Sequence, residues 1–445
     1  SADEFHAAVA AREIHWQHPS CGAWLARENE DGWIGWDSRG KSTGIEGDCW
    51  TPWKSVLDES AAPYYRWFTG GQTNACFNLV DRHLLSDRAE KTAIIFEGDR
   101  WDPSKNNGRG GPVTEQHFTY RQVFEEIVAR MQVLRDLGLT KGDRIAFNLP
   151  NIPEQIFYML AAQRMGVVYT PVFGGFSAKT LSDRIHDAGA KLVITADGGY
   201  RNAEVVGYKG TYADPALDNY IPRETALATL KAVLATYDLG ALADTLYSDV
   251  SDALASEITL ERSDVMRELG ASLASQNLIA PEMAAELRTA VARQLADAKH
   301  NVENVIVVEY TGQEVVEHAR DRWSSDLVAS AKATIAKHLG VSDFKALGSE
   351  EPAAFWAKLN AVLPVESVDS NFPLFIIYTS GSAGKPKGVV HTHGSWLSGV
   401  SHTMRMVFNA TEDDTLYVIG DPGWITGQSY LIAAPLVQGM TTVIA

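Results

Sequence analysis

The chain has 445 residues, of which 45% are hydrophobic and 21% are charged, and its formal net charge is −17. This length allows two or three domains with ample core, and the composition is ordinary for a soluble globular protein. The negative charge argues against broad binding to nucleic acids or anionic membranes, because phosphate-rich surfaces require a basic partner. A site for a polyanion must therefore be a local positive pocket on an acidic body.

The cysteines and the hydropathy pattern narrow the cellular setting. Cys21, Cys49 and Cys76 show no CxxC spacing and cannot all pair, which favours a reducing compartment. No stretch approaches the roughly 18 apolar residues of a membrane span. Residues 1–5 lack the basic and apolar regions of a signal peptide. The sequence predicts a soluble, cytoplasmic protein.

Residues 1–60 are rich in tryptophan without a clear period. The rings stand among Gly, Asp and Ser residues, at Trp16, Trp24, Trp33, Trp36, Trp50 and Trp53. Such rings usually bury against a neighbouring surface, which predicts a packed wrapping segment over residues 1–84 rather than an independent domain. A carbohydrate-binding platform is the alternative interpretation.

Strand and helix patterns alternate from about residue 91 onward. Residues 92–96 have the pattern of a strand, residues 120–137 have one apolar helical face, and residues 145–149 are again typical of a strand. The alternation continues to Thr195. Strands that alternate with helices of this length predict a doubly wound parallel sheet of the α/β class, with a first subdomain at 85–210.

Residues 211–300 interrupt this alternation. They are rich in Ala, Leu, Glu and Arg with helical spacing, which predicts a helical insertion used for packing or docking rather than catalysis. A strand pattern returns at 302–310. Residues 301–445 are predicted to form a second α/β subdomain.

A stretch rich in glycine, hydroxyls and lysine runs from Tyr378 to Gly388, after an apolar run that predicts a buried strand. Glycine allows close approach of backbone N–H groups, hydroxyls donate hydrogen bonds and lysine adds charge, so a polyphosphate is the expected ligand. A solvated hairpin turn is the alternative. A Walker loop is excluded, because Gly381 and Gly384 are too close together and proline follows Lys385.

This stretch resembles the signature of the adenylate-forming acyl-CoA synthetases, YTSGSTGKPKG, with Ala383 in place of the usual threonine. Further stretches are similar to motifs of the branch that contains the acetyl- and propionyl-CoA synthetases. They lie at 66–74 with 80–83, at 172–177 and at 423–430. In the last of these, Gln428 replaces the family's histidine and keeps a donor, but it cannot titrate. The resemblance covers most of the chain except 17–50 and the helical insertion.

The resemblance implies a two-step reaction that uses ATP, Mg²⁺ and coenzyme A. A short-chain acid (3-hydroxypropionate, propionate or acetate) attacks the α-phosphorus of ATP, and the thiol of coenzyme A then displaces AMP from the acyl-adenylate. The resemblance assigns the β- and γ-phosphates to Thr379, Ser380, Gly381, Ser382, Gly384 and Lys385, with Lys387 as a weaker candidate. Lys385, Thr379 and Thr426 are the implied catalytic residues.

The same resemblance implies an acid pocket and a CoA site. Trp424, Ile425 and Thr426 would line the acid pocket, where a bulky indole shortens the space and favours two or three carbons. Plain core packing of Trp424 is the alternative. Coenzyme A would be bound by Phe173, Gly174, Gly175, Arg201 and Thr426. Glu204 stands where the family commonly has a second basic residue. No metal site is predicted, because His391, His393 and His402 lack carboxylate or cysteine partners at metal spacing.

The chain ends at 441–445 in a predicted strand, before the second nucleotide motif and the C-terminal lid domain of the family. The resemblance therefore implies the first part of a ligase that turns over little alone. The segments 17–50 and 222–298 are similar to extra segments of fusion enzymes of the propionyl-CoA synthase type, which implies further domains of the same polypeptide; a homo-oligomer is possible. Two other functions stay open: an adenylating enzyme that loads a carrier-protein thiol, and a non-catalytic nucleotide-binding scaffold.

Overall fold

The computed structural model describes residues 1–29, 32–37, 39–43, 51–201, 204–276, 279–298, 300, 302–379 and 386–445. The N-terminal segment starts with α1 (Ala2–Glu13), which begins at a capping box formed by Ser1 and Glu4. Short strands follow: β1 (Trp16–Gln17), β2 (Trp24–Asn29), β3 (Gly32–Trp36), β4 (Ser42–Thr43), β5 (Ser55–Asp58), β6 (Arg66–Thr69) and β7 (Gln72–Thr73). β1 to β4 form one antiparallel sheet in chain order.

The tryptophans of this segment pack into the main core. Trp16, Trp24 and Trp33 are buried, with exposed fractions of 0%, 2% and 4%. The ring of Trp24 stacks on Phe77 at a centroid distance of 4.1 Å, and the indole N–H of Trp16 donates to the carbonyl of Ala10 at 3.0 Å. These buried rings form no carbohydrate platform. Trp50 lies outside the described residues.

The α/β part starts with a π-helical turn (Phe77–Asp81) and α2 (Arg82–Leu84). The next elements are β8 (Thr92–Glu97), β9 (Trp101–Asp102), α3 (Lys105–Gly108), β10 (Gly111–Pro112), β11 (Glu115–Thr119), α4 (Tyr120–Asp136), β12 (Arg144–Asn148), α5 (Pro153–Met165), β13 (Val168–Pro171), α6 (Ala178–Asp187), β14 (Leu192–Ala196), β15 (Gly199–Arg201) and β16 (Glu204–Val206). α5 has proline at its first turn and ends at Gly166, whose φ of 68° is the left-handed value typical of a helix stop.

A helical bundle follows where the sequence predicts an insertion. Its elements are a π-helical turn (Lys209–Ala213), α7 (Asp214–Asp218), β17 (Tyr220–Pro222), α8 (Arg223–Leu234), α9 (Ala241–Ala253), β18 (Thr259–Glu261), α10 (Arg262–Gln276) and α11 (Pro281–Ala296). Buried residues of α8 to α11, such as Leu230, Leu246, Leu269 and Leu287, form a core that is separate from the main one. The bundle therefore has an apolar core of its own.

The remaining elements return to the α/β pattern. They are β19 (Asn304–Val308), β20 (Asp321–Trp323), α12 (Ser324–Leu339), a 3₁₀ turn (Phe344–Ser349), α13 (Pro352–Val362), β21 (Val368–Asp369), β22 (Pro373–Thr379), β23 (Lys387–Thr392), α14 (His393–Met406), β24 (Thr415–Tyr417), a π-helical turn (Gly427–Ala433), α15 (Ala434–Val437) and β25 (Thr441–Ile444). None of the described helices is both long and apolar enough to cross a membrane.

The central sheet has the strand order β20-β19-β14-β12-β13-β22-β23. Its neighbours are parallel except for the last pair, which is antiparallel. Ile145 and Phe147 of β12 face the core that α4 and α5 complete, whereas Ala146 faces the core that α6 and α7 complete. Helices therefore cover both faces, and the predicted doubly wound α/β fold is confirmed.

Both predicted subdomains contribute to the same sheets. β14 pairs with β19 across the helical bundle, and β13 pairs with β22. A second sheet has the order β11-β8-β25-β24 and also joins the two parts of the chain. The boundaries at 85–210 and 301–445 stay a prediction, since each of the two larger sheets takes strands from both segments.

A buried ion pair links α5 to the turn before α2. Arg164 and Asp81 are both fully buried, and a guanidinium nitrogen lies 2.8 Å from the carboxylate. Arg164 also donates to the side-chain carbonyl of Asn360 at 2.8 Å, and the indole N–H of Trp356 donates to Asp81 at 2.8 Å. The charges are thus paired and hydrogen-bonded, as buried charges require.

One cationic side chain attaches the helical bundle to the sheet, and another joins the two ends of the bundle. The fully buried ammonium of Lys209 lies 2.8 Å from Asp214 and 2.9 Å from Asp321, the first residue of β20. Arg262, at the start of α10, donates to the carbonyls of Asp218 at 2.5 Å and Ala298 at 2.6 Å. The first and last parts of the bundle are therefore held together.

Candidate functional site

The predicted CoA segment lies at the carboxyl end of a central strand. From β12 the chain passes to its neighbour β13, and from β13 it crosses to β14 on the opposite side of β12. In open α/β sheets ligands bind outside the carboxyl ends of strands at such a reversal. Phe173, Gly174 and Gly175 follow β13 directly, so these predicted residues occupy the position that the fold favours for a ligand.

The predicted CoA and acid segments touch each other. The rings of Phe173, Phe176 and Trp424 have centroid distances of 5.5 to 6.3 Å. The backbones also approach closely, since a Cβ on Gly423 would lie 2.6 Å from the nitrogen of Phe173. Trp424 is 52% exposed, so plain core packing does not explain it. The three rings form an accessible aromatic wall, to which the exposed Ile425 adds an aliphatic side chain.

Tyr208 lies against the glycines beside the aromatic wall, and the sequence motifs do not predict this position. A Cβ on Gly174 would lie 2.2 Å from the Tyr208 hydroxyl, and one on Gly199 would lie 2.7 Å from its ring. Burial, and next the carboxylate of Asp421, raise the pKa of Tyr208, while Arg201 acts in the opposite direction. Tyr208 belongs to no motif, so only the tertiary structure reveals its position beside the glycine pair.

Arg184 of α6 connects the aromatic wall to the start of the predicted phosphate loop. Its guanidinium carbon lies 4.5 Å from the ring centroid of Phe176 and 5.3 Å from that of Tyr378. The Tyr378 hydroxyl donates to Asp187 of the same helix at 2.6 Å. Cation–π contacts of this kind fix aromatic rings in place. One helix therefore positions two of the predicted segments.

The predicted phosphate loop connects the antiparallel strands β22 and β23. Thr379 and Lys387 are opposite one another in the register, and both are exposed. The loop residues with a predicted role that lie outside the described residues are Ser380, Gly381, Ser382, Gly384 and Lys385. Their phosphate contacts stay a prediction. The hairpin topology of the flanking strands is compatible with both a phosphate loop and a plain turn.

Arg201 and Glu204 face each other in the β15–β16 hairpin, where they are paired in the register. Opposite charges at paired positions attract each other, so Glu204 offsets the positive charge that Arg201 would present to a CoA phosphate. Both residues are exposed at the tip of the hairpin. The role of Arg201 in binding coenzyme A stays a prediction, and Glu204 weakens the positive field that Arg201 produces.

Gln428, which replaces the family's histidine, is a buried structural residue. Its amide nitrogen donates to the carbonyl of Pro422 at 2.6 Å, and its side-chain oxygen accepts from the Tyr169 hydroxyl at 2.8 Å. Both ends of the amide are therefore used inside the protein. Thr426, two residues earlier, is exposed and remains accessible to a ligand.

Asp421 holds the turn that presents Trp424. Its carboxylate accepts from the N–H of Gly423 at 2.6 Å, and its backbone carbonyl accepts from the N–H of Trp424 at 2.9 Å. Burial raises the pKa of Asp421 to about 6, and the Gly423 hydrogen bond opposes this only in part. In the sequence, the only indication of a role for Asp421 is its position two residues before the motif that starts at Gly423.

Asp421→Asn is expected to stabilise the protein at alkaline pH. A carboxyl whose pKa is higher in the folded than in the unfolded chain contributes stability at low pH, and this contribution is lost as the pH rises through about 6. Asparagine keeps the acceptor for Gly423 without the charge. We expect a gain of about 2 kcal/mol near pH 8 and almost none near pH 4, measured by urea unfolding. A gain of equal size at both pH values would contradict the assignment.

Asp214, Asp218 and His318 bring potential ligand atoms within 4.8 Å of one another. Arg320 pairs with both aspartates, and Lys209 also pairs with Asp214. Cationic side chains of the protein already satisfy these carboxylates. We assign no metal site to this group.

Comparisons with known proteins identify the family. The profile of the AMP-binding enzymes matches residues 85–445. The chain belongs to this family. The profile of the acetyl-coenzyme A synthetase N-terminus matches residues 46–79, and together with the relatives it supports the acetyl- and propionyl-CoA synthetase branch.

Similar curated proteins carry the name acetyl-coenzyme A synthetase. The one from Gemmatimonas aurantiaca is 31% identical over 89% of this chain and 43% of its own length. The one from Wolinella succinogenes is 32% identical over 89% and 43%, and the one from Pyrobaculum arsenaticum is 31% identical over 92% and 44%. The chain thus spans less than half the length of these relatives.

Proposed function

We propose that the protein takes part in the ATP-dependent, AMP-forming activation of a short-chain carboxylic acid and its transfer to coenzyme A. The observation that supports this most strongly is the contact between the segments at Phe173 and Trp424, at the carboxyl end of β13. A CoA segment and an acid pocket must meet if a thiol is to reach an acyl group. Arg184 adds the connection to the start of the phosphate loop.

In the proposed first step, the carboxylate attacks the α-phosphorus of ATP and pyrophosphate leaves. The backbone N–H groups and hydroxyls of the loop from Thr379 to Lys385 would bind the β- and γ-phosphates, and Mg²⁺ would arrive with ATP as its complex. Such a step depends mainly on positioning and on neutralisation of phosphate charge. In the second step, the thiol sulfur bonds to the acyl carbon, the bond to the AMP oxygen breaks, and the thiol proton is released.

The aromatic wall gives the proposed site its acid preference. Trp424 would limit the length of the bound acid, since each further methylene must find apolar space that the indole already fills. Thr426, exposed beside this wall, would lie near both the acyl group and the thiol. Acetate, propionate and 3-hydroxypropionate are the proposed substrates. Further domains of a fusion polypeptide, a homo-oligomer and a cytoplasmic location belong to the same proposal.

Pyrophosphate exchange on the full-length natural protein tests this function. We expect exchange that depends on one of the three acids, and formation of the CoA thioester when coenzyme A is added. Lys385→Ala is expected to lower the exchange by about a hundredfold through loss of phosphate neutralisation, whereas the exposed Lys345→Ala should leave it unchanged. Absence of exchange with every acid would favour a nucleotide-binding scaffold.

Exchange without a CoA product would favour the second candidate, an enzyme that loads a carrier-protein thiol. The pairing of Arg201 with Glu204 supports this alternative, because it weakens the positive charge available to the phosphates of coenzyme A. Replacement of Glu204 by lysine distinguishes the two. If coenzyme A is the acceptor, this substitution should lower the KM for coenzyme A and leave the exchange rate unchanged.

Gly174→Ala is expected to impair the CoA-dependent step selectively. The added Cβ would lie 2.2 Å from the Tyr208 hydroxyl, so one of the two segments must move. We expect kcat/KM for coenzyme A to fall by about tenfold, with little change in pyrophosphate exchange. The double variant Gly174→Ala/Tyr208→Ala removes the hydroxyl together with the ring carbons that would lie 2.8 and 2.9 Å from the added Cβ, and it should recover most of the loss, whereas Gly174→Ala/Tyr212→Ala should not. Recovery by neither double variant would refute this steric explanation.

A further inference from the structure

A large cavity among the described residues lies away from the proposed site. Its volume is about 1400 Å³, and it is lined both by the N-terminal segment and by residues of the α/β part. One wall consists of α1, β2, β3 and the residues from Thr51 to Trp53. The other lining residues come from α2 with the residues after it, from the segment 405–412, and from Val437 with Gln438. None of these residues belongs to the aromatic wall or the phosphate loop.

The walls of this cavity carry an excess of positive charge. The cations that line it are Arg12, Arg27, Arg82, Arg88 and Arg405, and the carboxylates that line it are Glu4 and Glu412. The protein as a whole has a formal charge of −17, so the concentration of arginine here runs against its composition. Within the part of the chain that the structure describes, Arg12 has no hydrogen bond or ion pair and is exposed.

The buried His83, which lines this cavity, has a pKa that burial and the neighbouring arginines lower. The ring is 1% exposed, and its Nε2–H donates to the carbonyl of Leu436 at 2.8 Å. Burial lowers the pKa of His83 well below its usual value, and Arg82 and Arg88 lower it further. The ring is therefore neutral and its Nδ1 is an acceptor. Among the described residues no group donates to this nitrogen.

Internal ion pairs neutralise only part of the charge. Arg88 pairs with Glu412, and Arg405 lies 3.2 Å from the buried Glu13. The Nε of Arg405 nevertheless has no partner among the described residues. Burial, and next the charge of Arg88, lower the pKa of Arg82 to about 10. The loss of water around the guanidinium is the main cause, Arg88 and Arg405 add to it, and Glu13 opposes it.

We infer that this cavity is a binding site for a small anion that carries two or more phosphate groups. Arginine forks match phosphate oxygens and bind them in pairs. The volume admits a ligand of nucleotide size. Trp36 and Trp53 line the same cavity and are only partly buried, so they offer flat apolar faces to a ring. Inorganic polyphosphate and a nucleoside diphosphate are the two sources of this chemistry.

Titration calorimetry of the full-length protein with tripolyphosphate, and separately with ADP, tests the inference. We expect Arg12→Gln to weaken binding of at least one probe by about threefold, and Arg12→Gln/Arg405→Gln to weaken it by tenfold or more. Arg12 has no partner to lose in the described residues, so the single variant keeps the fold. The exposed Arg109→Gln and Arg322→Gln are matched controls and should bind like the parent protein.

Lys385→Ala distinguishes binding in this cavity from binding at the predicted phosphate loop. If the cavity binds the anion, Lys385→Ala should keep the binding of the probe in the cavity. Arg12→Gln/Arg405→Gln should lose this binding. Tighter binding of ADP than of tripolyphosphate would identify a nucleotide as the source, and the reverse order would identify inorganic polyphosphate. Absence of binding by both probes, or binding that Lys385→Ala alone abolishes, would overturn the inference. This result is independent of whether pyrophosphate exchange occurs.

Discussion

Arg164→Met is expected to lower the free energy of unfolding by about 4 kcal/mol, because it leaves a carboxylate buried without its counter-ion. Arg164 and Asp81 are both fully buried at 2.8 Å. After the substitution, the indole N–H of Trp356 would be the main donor left to Asp81. Methionine fills most of the volume of the arginine stem, so the loss should reflect charge rather than a cavity. Urea unfolding followed by near-ultraviolet circular dichroism measures it.

An exposed ion pair provides the control for this prediction. Lys141 pairs with Glu366 at 2.9 Å, and both side chains are more than 40% exposed. Lys141→Met should cost at most about 1 kcal/mol, because water already screens this pair. Arg164→Met combined with Asp81→Leu removes both buried charges and should recover part of the loss. Equal losses for Arg164→Met and Lys141→Met would show that burial does not set the strength of the Asp81 pair.

Lys209→Met is expected to cost about 3 kcal/mol and to loosen the helical bundle from the sheet. The Lys209 ammonium is fully buried between Asp214 and Asp321, which are themselves 14% and 6% exposed. Without the cation, two carboxylates face each other in a poorly solvated site. Hydrogen exchange should therefore accelerate in α7 and β20 before it accelerates in the centre of the sheet.

Lys179 is the matched control, because it too links the body to the bundle. It pairs with Asp183 of α6 and with Glu257, but its side chain is 34% exposed. We expect Lys179→Met to cost less than about 1 kcal/mol and to leave exchange in β20 unchanged. A uniform rise of exchange over the whole sheet in Lys209→Met would argue against a local attachment.

The sequence predicts the main sheet well because its elements are strongly periodic. The helix expected at 120–137 is α4 (Tyr120–Asp136), and the strand expected at 145–149 is β12 (Arg144–Asn148). Glycine and proline at the boundaries limit the error to one or two residues. The short strands β1 to β7 were not expected, since two to six residues carry too little pattern to distinguish strand from loop.

The candidate site was only partly predictable. Trp424 and Phe173 are predicted by the local sequence motifs to which they belong. In the structure the centroids of their rings lie 5.9 Å apart. Arg184 and Tyr208 act through contacts with residues distant in the sequence, so no local pattern distinguishes them from ordinary surface residues. The arginine-lined cavity could not be predicted either, because its cations come from segments that are far apart in the chain.

The position of the helical bundle affects the order in which the protein folds. β14 and β19 lie side by side, although the chain between them is roughly a hundred residues long, and closing so long a loop carries an entropic cost. Arg262 joins the carbonyls of Asp218 and Ala298, so the folded bundle brings the two ends of this loop together. A bundle that folds first shortens the effective loop and speeds the pairing of the sheet.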